Sequence, residues 1–164
     1  MPPTRTELLQ GMPVFGAIRE DTLQLLLERA RAVAVAAGEY FFRENDAADS
    51  LFVLEAGSVS VLKSWQGRDY VLHRLVEGDC FGEMALMDLQ PRSASVRADA
   101  DCRAIELSAT DLLVLFERDA EQFALIQMNF GREVCRRLRA ADELLFRAGR
   151  GELDTGPDLL FRAA

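Results

Sequence analysis

The chain has 164 residues, 49% of them hydrophobic and 28% charged, shares typical of an ordinary globular domain with its own core. Its formal net charge of -8 argues against a nucleic-acid-binding surface, which collects phosphates with Lys and Arg. A single histidine argues against zinc-hydrolase and serine-hydrolase sites, which need one or more well-placed imidazoles. We therefore expect a non-enzymatic domain with no catalytic residues, no metal and no nucleic-acid partner.

Neither cysteine usage nor hydropathy indicates secretion or a membrane. Cys80, Cys102 and Cys135 are odd in number, widely spaced and without a CxxC pair, as expected of reduced thiols. The first residues lack the apolar run of a signal peptide, and no stretch reaches the roughly 18 apolar residues of a membrane span. The sequence predicts a cytoplasmic protein with no membrane partner.

The N-terminal segment, residues 1–37, is predicted to be helical. "LLQGMPVFGAI" forms a short apolar helix or turn that Pro13 and Gly16 interrupt. "REDTLQLLLERARAV" then places Leu23, Leu26 and Leu27 on one helix face, and Asp21 is in position to cap its start. The helical pattern continues to about Val35.

Residues 38–107 change to short strands rich in β-branched and aromatic residues, separated by Gly, Asn and Asp turns. The predicted strands are "EYFFRE", "SLFVLEA", "SVSVLKSW", "DYVLHRLV", "SASVRAD" and "CRAIELS". Their even spacing predicts an antiparallel β-roll of the jelly-roll (double-stranded β-helix) type. "GEMALMDL" has weak strand propensity and is predicted to form one or two helical turns within the roll. The fold class is therefore α+β, with helices on both sides of the roll in the chain.

Residues 108–147 are predicted to be helical again, with a cap at Ser108 or Thr110 followed by a helix of close to thirty residues. Apolar side chains recur along it at spacings of three and four, so that this stripe can cover the roll or pair with a second copy of itself. Gly131 weakens the helix by about 1 kcal/mol relative to alanine. Residues 148–164 contain Gly and Pro without a period and are predicted to be a flexible tail.

The stretch "CFGEMALMDLQPRSASV", residues 80–96, has the composition of an anion site. Gly82 allows close backbone approach, and the helix start after it exposes N–H groups. Arg92, stiffened by the preceding proline, can donate two hydrogen bonds to a phosphate. Glu83 only accepts, so that it requires a ligand hydroxyl beside the phosphate or a bond to Arg92. A cyclic nucleotide meets both demands.

This stretch resembles the phosphate-binding cassette of the cyclic-nucleotide-binding domain family, which catabolite-activator-type regulators, kinase regulatory subunits and nucleotide-gated channels share. The family cassette runs Phe-Gly-Glu, an apolar residue, Ala, Leu, a short loop, often Pro, then Arg, two small residues and, after one more, Val. The chain matches it at Phe81, Gly82, Glu83, Met84, Ala85, Leu86, Pro91, Arg92, Ser93, Ala94 and Val96. The similarity extends from about Phe15 to Phe146. The family usually has Gly where this chain has Asn45, and Asn is the next best residue for a left-handed turn.

The resemblance implies the roles of individual residues. Glu83 accepts from the ribose 2′-hydroxyl, Arg92 pairs with the cyclic phosphate, and backbone N–H groups near Ala85 and Ser93 complete the phosphate site. Val61, Leu72 and Met84 line the sugar and base. The expected ligand-binding set is Gly82, Glu83, Met84, Ala85, Arg92, Ser93, Ala94 and Leu72. The long helix closes over the purine, with candidates Phe130, Val134, Arg137, Ala141 and Asp142.

Several alternatives stay open at this point. Glu83 and Arg92 can form a purely structural ion pair in a domain that keeps the fold, binds no nucleotide and docks other proteins. His73 is assigned to a strand surface. No helix-turn-helix pattern follows the long helix, so that we expect a stand-alone sensor of cAMP or cGMP acting through a protein partner of unknown identity or through its own homodimer. The sequence leaves the choice between the two nucleotides open.

Overall fold

In a computed structural model, which describes residues 3–151 and 162–163, five helices surround nine strands. The helices are α1 Arg5–Gln10, α2 Glu20–Arg29, α3 Glu83–Asp88, α4 Ala109–Arg118 and α5 Ala120–Gly149, with a 3-10 turn at Pro13–Phe15. The strands are β1 Arg31–Val35, β2 Tyr40–Phe42, β3 Ser50–Ala56, β4 Ser58–Trp65, β5 Arg68–Val76, β6 Cys80–Phe81, β7 Ser95–Ala98, β8 Cys102–Ser108 and β9 Arg162–Ala163. The α+β prediction, with a roll between N-terminal helices and a long C-terminal helix, is confirmed.

The strands form two antiparallel sheets that face each other as a roll. One has the order β1-β8-β3-β6 and the other β2-β7-β4-β5-β9. The longest pairing joins β4 to β5 across the turn at Gln66 and Gly67, both with positive φ. Each predicted strand is present, and "GEMALMDL" forms helix α3 as predicted.

The buried apolar side chains form two clusters, one under the helices and one between the sheets, and strand β3 lies between them. Its first five residues are all buried, the pattern of a strand covered on both faces. Because side chains alternate, Leu51 and Val53 pack against the helices, whereas Phe52 and Leu54 point between the sheets. The inter-sheet core includes a stack of Phe52 on Phe81, with ring centroids 5.4 Å apart. Because Phe81 belongs to the residue 80–96 segment, this stack attaches that segment to the core of the roll.

The predicted N-terminal helical segment is wrong at residues 31–35. Helix α2 ends at Arg29, and the "RAVAV" segment forms β1, paired with β8 from Arg31↔Glu106 to Val35↔Cys102. Val33 and Val35, two residues apart, pack against the inter-sheet core. Their β-branched side chains and the free edge of β8 favour a strand over the helical continuation. Asp21 is also not the cap of α2, which begins one residue earlier with Arg19 at its N-cap.

Helix α5 has two halves with different surroundings. Its buried residues are Gln122, Ile126, Asn129 and Phe130, all before Gly131. The amide of Asn129 donates to the carbonyls of Val14 and Gly16, which fixes this half to the 3-10 turn. After Gly131 the helix is mostly exposed and extends along the roll. Ser108 caps α4, as one of the two predicted alternatives, in a reciprocal pair with Asp111.

The predicted flexible tail, residues 148–164, lies largely outside the described residues. Of this segment, the described part continues α5 to Gly149 and places Arg162–Ala163 beside β5. Among the helices at 3–151, none combines the length and the apolarity that crossing a bilayer requires.

Candidate ligand-binding site

The turn from β6 into α3 holds the backbone close to a guanidinium. Gly82 is the N-cap of α3 with φ +84°, in the left-handed region that favours glycine. A Cβ atom at this position would stand 2.6 Å from Nη1 of Arg92. Glycine is therefore required here by both the backbone angle and the approach of the arginine.

Arg92 lies at the base of the site, with 5% of its surface exposed. Its Nη1 donates to the Gly82 carbonyl at 3.0 Å and its Nη2 to the Ser50 hydroxyl at 3.4 Å. Its Cζ stands 4.0 Å from the centre of the Phe42 ring. Its Nε is buried and has no hydrogen-bond partner, whereas the other buried side-chain nitrogen and oxygen atoms of residues 3–151 have one. Because burial disfavours the cation, the pKa of Arg92 is lowered.

A neighbouring loop fixes the backbone of Arg92. The Asn45 N–H donates to the Arg92 carbonyl at 2.8 Å, and the Arg92 N–H donates to the Asp46 carbonyl at 2.9 Å. Asn45 has φ +70°, which confirms the left-handed turn predicted for it. The backbone of Arg92 is thus fixed by this loop and its guanidinium by Gly82 and Ser50.

Glu83 does not pair with Arg92, contrary to one sequence-based alternative. It is 1% exposed, and its Oε1 lies 2.5 Å from Nη1 of Arg137 on α5. Arg137 also donates to the Cys80 carbonyl and to Glu133. Burial raises the pKa of Glu83, and the Arg137 cation opposes that rise. The pairing with α5 could not be inferred from the cassette, because the two residues are 54 positions apart.

A cavity of about 690 Å³ separates the roll from α5, within the size range of small-molecule sites. Its walls come from three parts of the chain. The residue 80–96 segment contributes Phe81, Gly82, Glu83, Met84, Ala85, Arg92, Ser93, Ala94 and Val96. The sheet contributes Phe42, Val61, Lys63, Leu72, His73 and Leu75, and α5 contributes Val134, Arg137, Leu138, Ala140, Ala141 and Leu144.

The structure brings all of the sequence-predicted ligand-binding residues to this one cavity: Gly82, Glu83, Met84, Ala85, Arg92, Ser93, Ala94 and Leu72. Their contact with a ligand stays a prediction. Of the five helix candidates, Val134, Arg137 and Ala141 line the cavity, Phe130 is buried in the helical core, and Asp142 lies off the cavity wall.

Sequence reasoning missed two polar residues of the cavity. Lys63 donates to the Ser93 carbonyl at 2.7 Å and pairs with Glu44. His73 is solvent-exposed, as predicted for a strand-surface residue, and it also lines the cavity. Among residues 3–151, no cluster of His, Cys, Asp and Glu is arranged to hold a metal ion.

A cavity of this size, enclosed between the roll and a long helix, is typical of a domain that binds a small molecule. The chain belongs to the family described as "Cyclic nucleotide-binding domain", whose model matches residues 32–119, more than half of its length. The resemblance inferred from residues 80–96 is thereby confirmed.

The chain is similar in sequence to a receptor protein and to a kinase regulatory subunit. The chain is 30% identical over 135 residues to the cyclic AMP receptor protein of Thermus thermophilus, covering 82% of this chain and 61% of the relative. It is 29% identical over 99 residues to the cAMP-dependent protein kinase regulatory subunit of Emericella nidulans, covering 60% and 24%. The chain thus spans less than two thirds of these relatives. Both relatives are named as a receptor or a regulatory subunit.

Solved structures share the fold. The crystal structure of the Thermus thermophilus catabolite activator protein has a TM-score of 0.74 at 29% identity, covering 84% of this chain and 63% of that one. A cyclic nucleotide-binding domain from Methylobacillus flagellatus has a TM-score of 0.76 at 23% identity, covering 87% and 82%.

Proposed function

We propose that this protein is a cytoplasmic sensor that binds cAMP, with cGMP as the competing ligand, and reports occupancy through helix α5. The observation that carries the proposal is the guanidinium of Arg92, which lines a cavity of about 690 Å³ and has a buried Nε without a hydrogen-bond partner. A buried donor without an acceptor is costly, and an anionic oxygen would satisfy it. The free cysteines Cys80, Cys102 and Cys135 suit a reducing compartment.

The ligand contacts follow from the two charged residues. Arg92 donates to a cyclic phosphate oxygen, and the backbone near Ala85 and Ser93 contributes further N–H groups. Glu83 accepts from the ribose 2′-hydroxyl through the oxygen that Arg137 leaves free. The apolar side chains of Val61, Leu72 and Met84 then cover the sugar and base.

Closure of α5 transmits the binding event. The half of α5 up to Phe130 is buried and hydrogen-bonded to the 3-10 turn, whereas the half from Gly131 is mostly exposed and joins the roll through Arg137. A ligand in the cavity contacts Val134, Ala141 and Leu144 from below. It shifts the population toward a closed helix by the difference in its affinity for the two positions.

Thermal unfolding tests the proposal directly. At a cAMP concentration one hundred times the dissociation constant, binding stabilises the folded state by about 2.7 kcal/mol. For a domain of this size, the midpoint should rise by roughly 5–11 °C. AMP, which carries a phosphomonoester in place of the cyclic diester, is the matched control and should give a smaller rise. If neither cyclic nucleotide raises the midpoint, the domain is a protein-docking module that has lost its ligand.

We also propose that a second copy of the chain covers the exposed stripe of α5. Val134, Leu138 and Ala141, which also border the cavity, continue with Leu145 and Ala148 in the alternating four-three spacing of a coiled coil. In a parallel pair of helices, Arg137 of one helix and Asp142 of the other lie beside this stripe, at the g and e positions where opposite charges attract. Leu138 and Leu145 are 58% and 70% exposed in the single chain, and a second helix would bury them.

The oligomeric state in solution tests this second proposal. Sedimentation should give a dimer for the wild type and a monomer for Leu145→Arg, because an arginine at the seam would be buried against its twin. Leu145 does not line the cavity, so that nucleotide binding provides a check on folding. Leu113→Arg on α4, where the leucine is 53% exposed, is the control and should stay dimeric. If the wild type stays monomeric at high protein concentration, the proposed pairing of two α5 helices is wrong.

A further inference from the structure

We propose that His73 contacts the nucleobase and sets the preference between adenine and guanine according to its protonation. This inference rests on the proposed function and names the specificity element of the same cavity. His73 is the single histidine of the chain and lines the cavity opposite α5.

His73 pairs with Val61 in the same regular register that pairs Leu75 with Val59, so that it lies on the inner face of β5, and an irregularity next to it brings Leu72 to the same cavity. The pairing of β4 with β5 runs Val61↔His73 and then Leu62↔Val71, so that Leu72 is an extra residue on β5. In a regular strand, consecutive side chains point to opposite faces, yet Leu72 and His73 both line this cavity. A β-bulge redirects a side chain in this way and is common next to functional sites.

The position of β5 in the sheet places His73 at the end of the cavity where the nucleobase would lie. Strand β7 begins at Ser95, three residues after Arg92. In the sheet, β4 lies between β7 and β5. Two strand spacings amount to roughly 9–10 Å. A nucleotide held at its phosphate by Arg92 therefore extends across β4 and places its base near β5, between His73 and α5.

Neutral imidazole suits adenine better than guanine. It carries one N–H donor and one acceptor nitrogen. The acceptor can take a hydrogen bond from the amino group at C6 of adenine, whereas guanine presents only acceptors, O6 and N7, on the corresponding edge. Once protonated, the ring has two donors and no acceptor, so that it loses the adenine contact and gains one to guanine.

The surroundings of His73 favour the neutral ring. His73 is exposed to solvent, yet the protein around the ring removes part of its hydration, and this desolvation and next the Arg137 cation on α5 lower its pKa, while Asp79 in the β5–β6 turn opposes them. Lys63 on β4 adds a further cation to the cavity wall, and Glu83 on α3 adds a carboxylate that its ion pair with Arg137 offsets. The ligand phosphate would favour the protonated ring, but at roughly 9–10 Å it acts across about one Debye length. The adenine amino group donates to the acceptor nitrogen only of the neutral ring and displaces water at contact distance, and we expect that effect to dominate.

The single histidine allows a direct test by NMR, because the imidazole carbon-bound proton reports one residue. Its pKa in the free protein should fall when cAMP binds. Since cAMP then selects the neutral ring, its affinity should decrease by up to about tenfold for each pH unit below the free-state pKa. cGMP should lose less, so that the ratio of the two affinities shifts toward cGMP between about pH 7.5 and pH 5.

Matched variants separate this effect from other titrations. His73→Gln keeps a donor and an acceptor but does not titrate, so that its cAMP:cGMP ratio should be independent of pH, while any contribution from Glu83 remains. Arg74→Gln, the next residue on β5 and not on the cavity wall, should follow the wild type. If both nucleotides bind wild type and His73→Gln with the same pH profile, or the histidine pKa is unmoved by cAMP, the inference is wrong while the proposed function stands. If neither nucleotide binds at pH 7.5, both are wrong.

Discussion

Replacing Arg92 by Ala is expected to weaken cAMP binding by roughly 3–5 kcal/mol, a loss of two to four orders of magnitude in affinity. The guanidinium is 5% exposed and fixed by Gly82, Ser50 and the Asn45 loop, so that no other cation can take its place without rearrangement. The ligand phosphate would be left in a partly dehydrated site without its counter-charge. Isothermal titration calorimetry measures the loss.

Two further variants show whether a loss of affinity in Arg92→Ala comes from the lost phosphate contact. Arg92→Lys keeps the charge but cannot donate two hydrogen bonds in one plane, and should bind with intermediate affinity. Arg97→Ala, on β7 and off the cavity wall, should bind as the wild type does. Arg92→Ala should not unfold the free protein, because the change also removes a buried donor without a partner. Wild-type affinity in a folded Arg92→Ala protein would disprove the phosphate site.

The sequence predicted the cassette because its determinants are local. A left-handed glycine, a short helix and an arginine after a proline all lie within residues 80–96, and each has its own backbone or side-chain reason. The strand pattern was equally local, since alternation and turn residues set β3, β4, β5 and β8 within a residue of their observed ends. These features do not depend on distant parts of the chain.

The missed features all depend on distant partners. Strand β1 looked helical because only its pairing with β8, some seventy residues later, distinguishes "RAVAV" from a helix end. His73 was assigned to a strand surface and is solvent-exposed, but its place on the cavity wall depends on how β5 packs beneath α5. The ion pair of Arg137 with Glu83 was missed because only the packing of α5 on the roll brings these two residues together.

Replacing Arg137 by Ala is expected to lower the free energy of unfolding by up to about 3 kcal/mol at pH 8. The change leaves the carboxylate of Glu83, which is 1% exposed, without the cation at 2.5 Å. We take the lower end of the range for a broken buried pair, because the Arg137 side chain is itself 34% exposed and solvent reaches the cavity. Urea unfolding measures the difference. Arg136→Ala, which removes an exposed pair with Glu133, should cost less than about 1 kcal/mol.

The pH dependence distinguishes this ion pair from loss of packing. Burial already raises the pKa of Glu83, and removal of Arg137 raises it further. The native state then binds more protons than the unfolded state above about pH 4.3, so that the stability of Arg137→Ala falls as pH rises through the folded-state pKa. The deficit relative to wild type should therefore be largest at pH 8 and small near pH 4. In a Glu83→Gln background there is no carboxylate to leave unpaired, and Arg137→Ala should cost little at either pH; an undiminished cost there would assign the effect to packing of α5 instead.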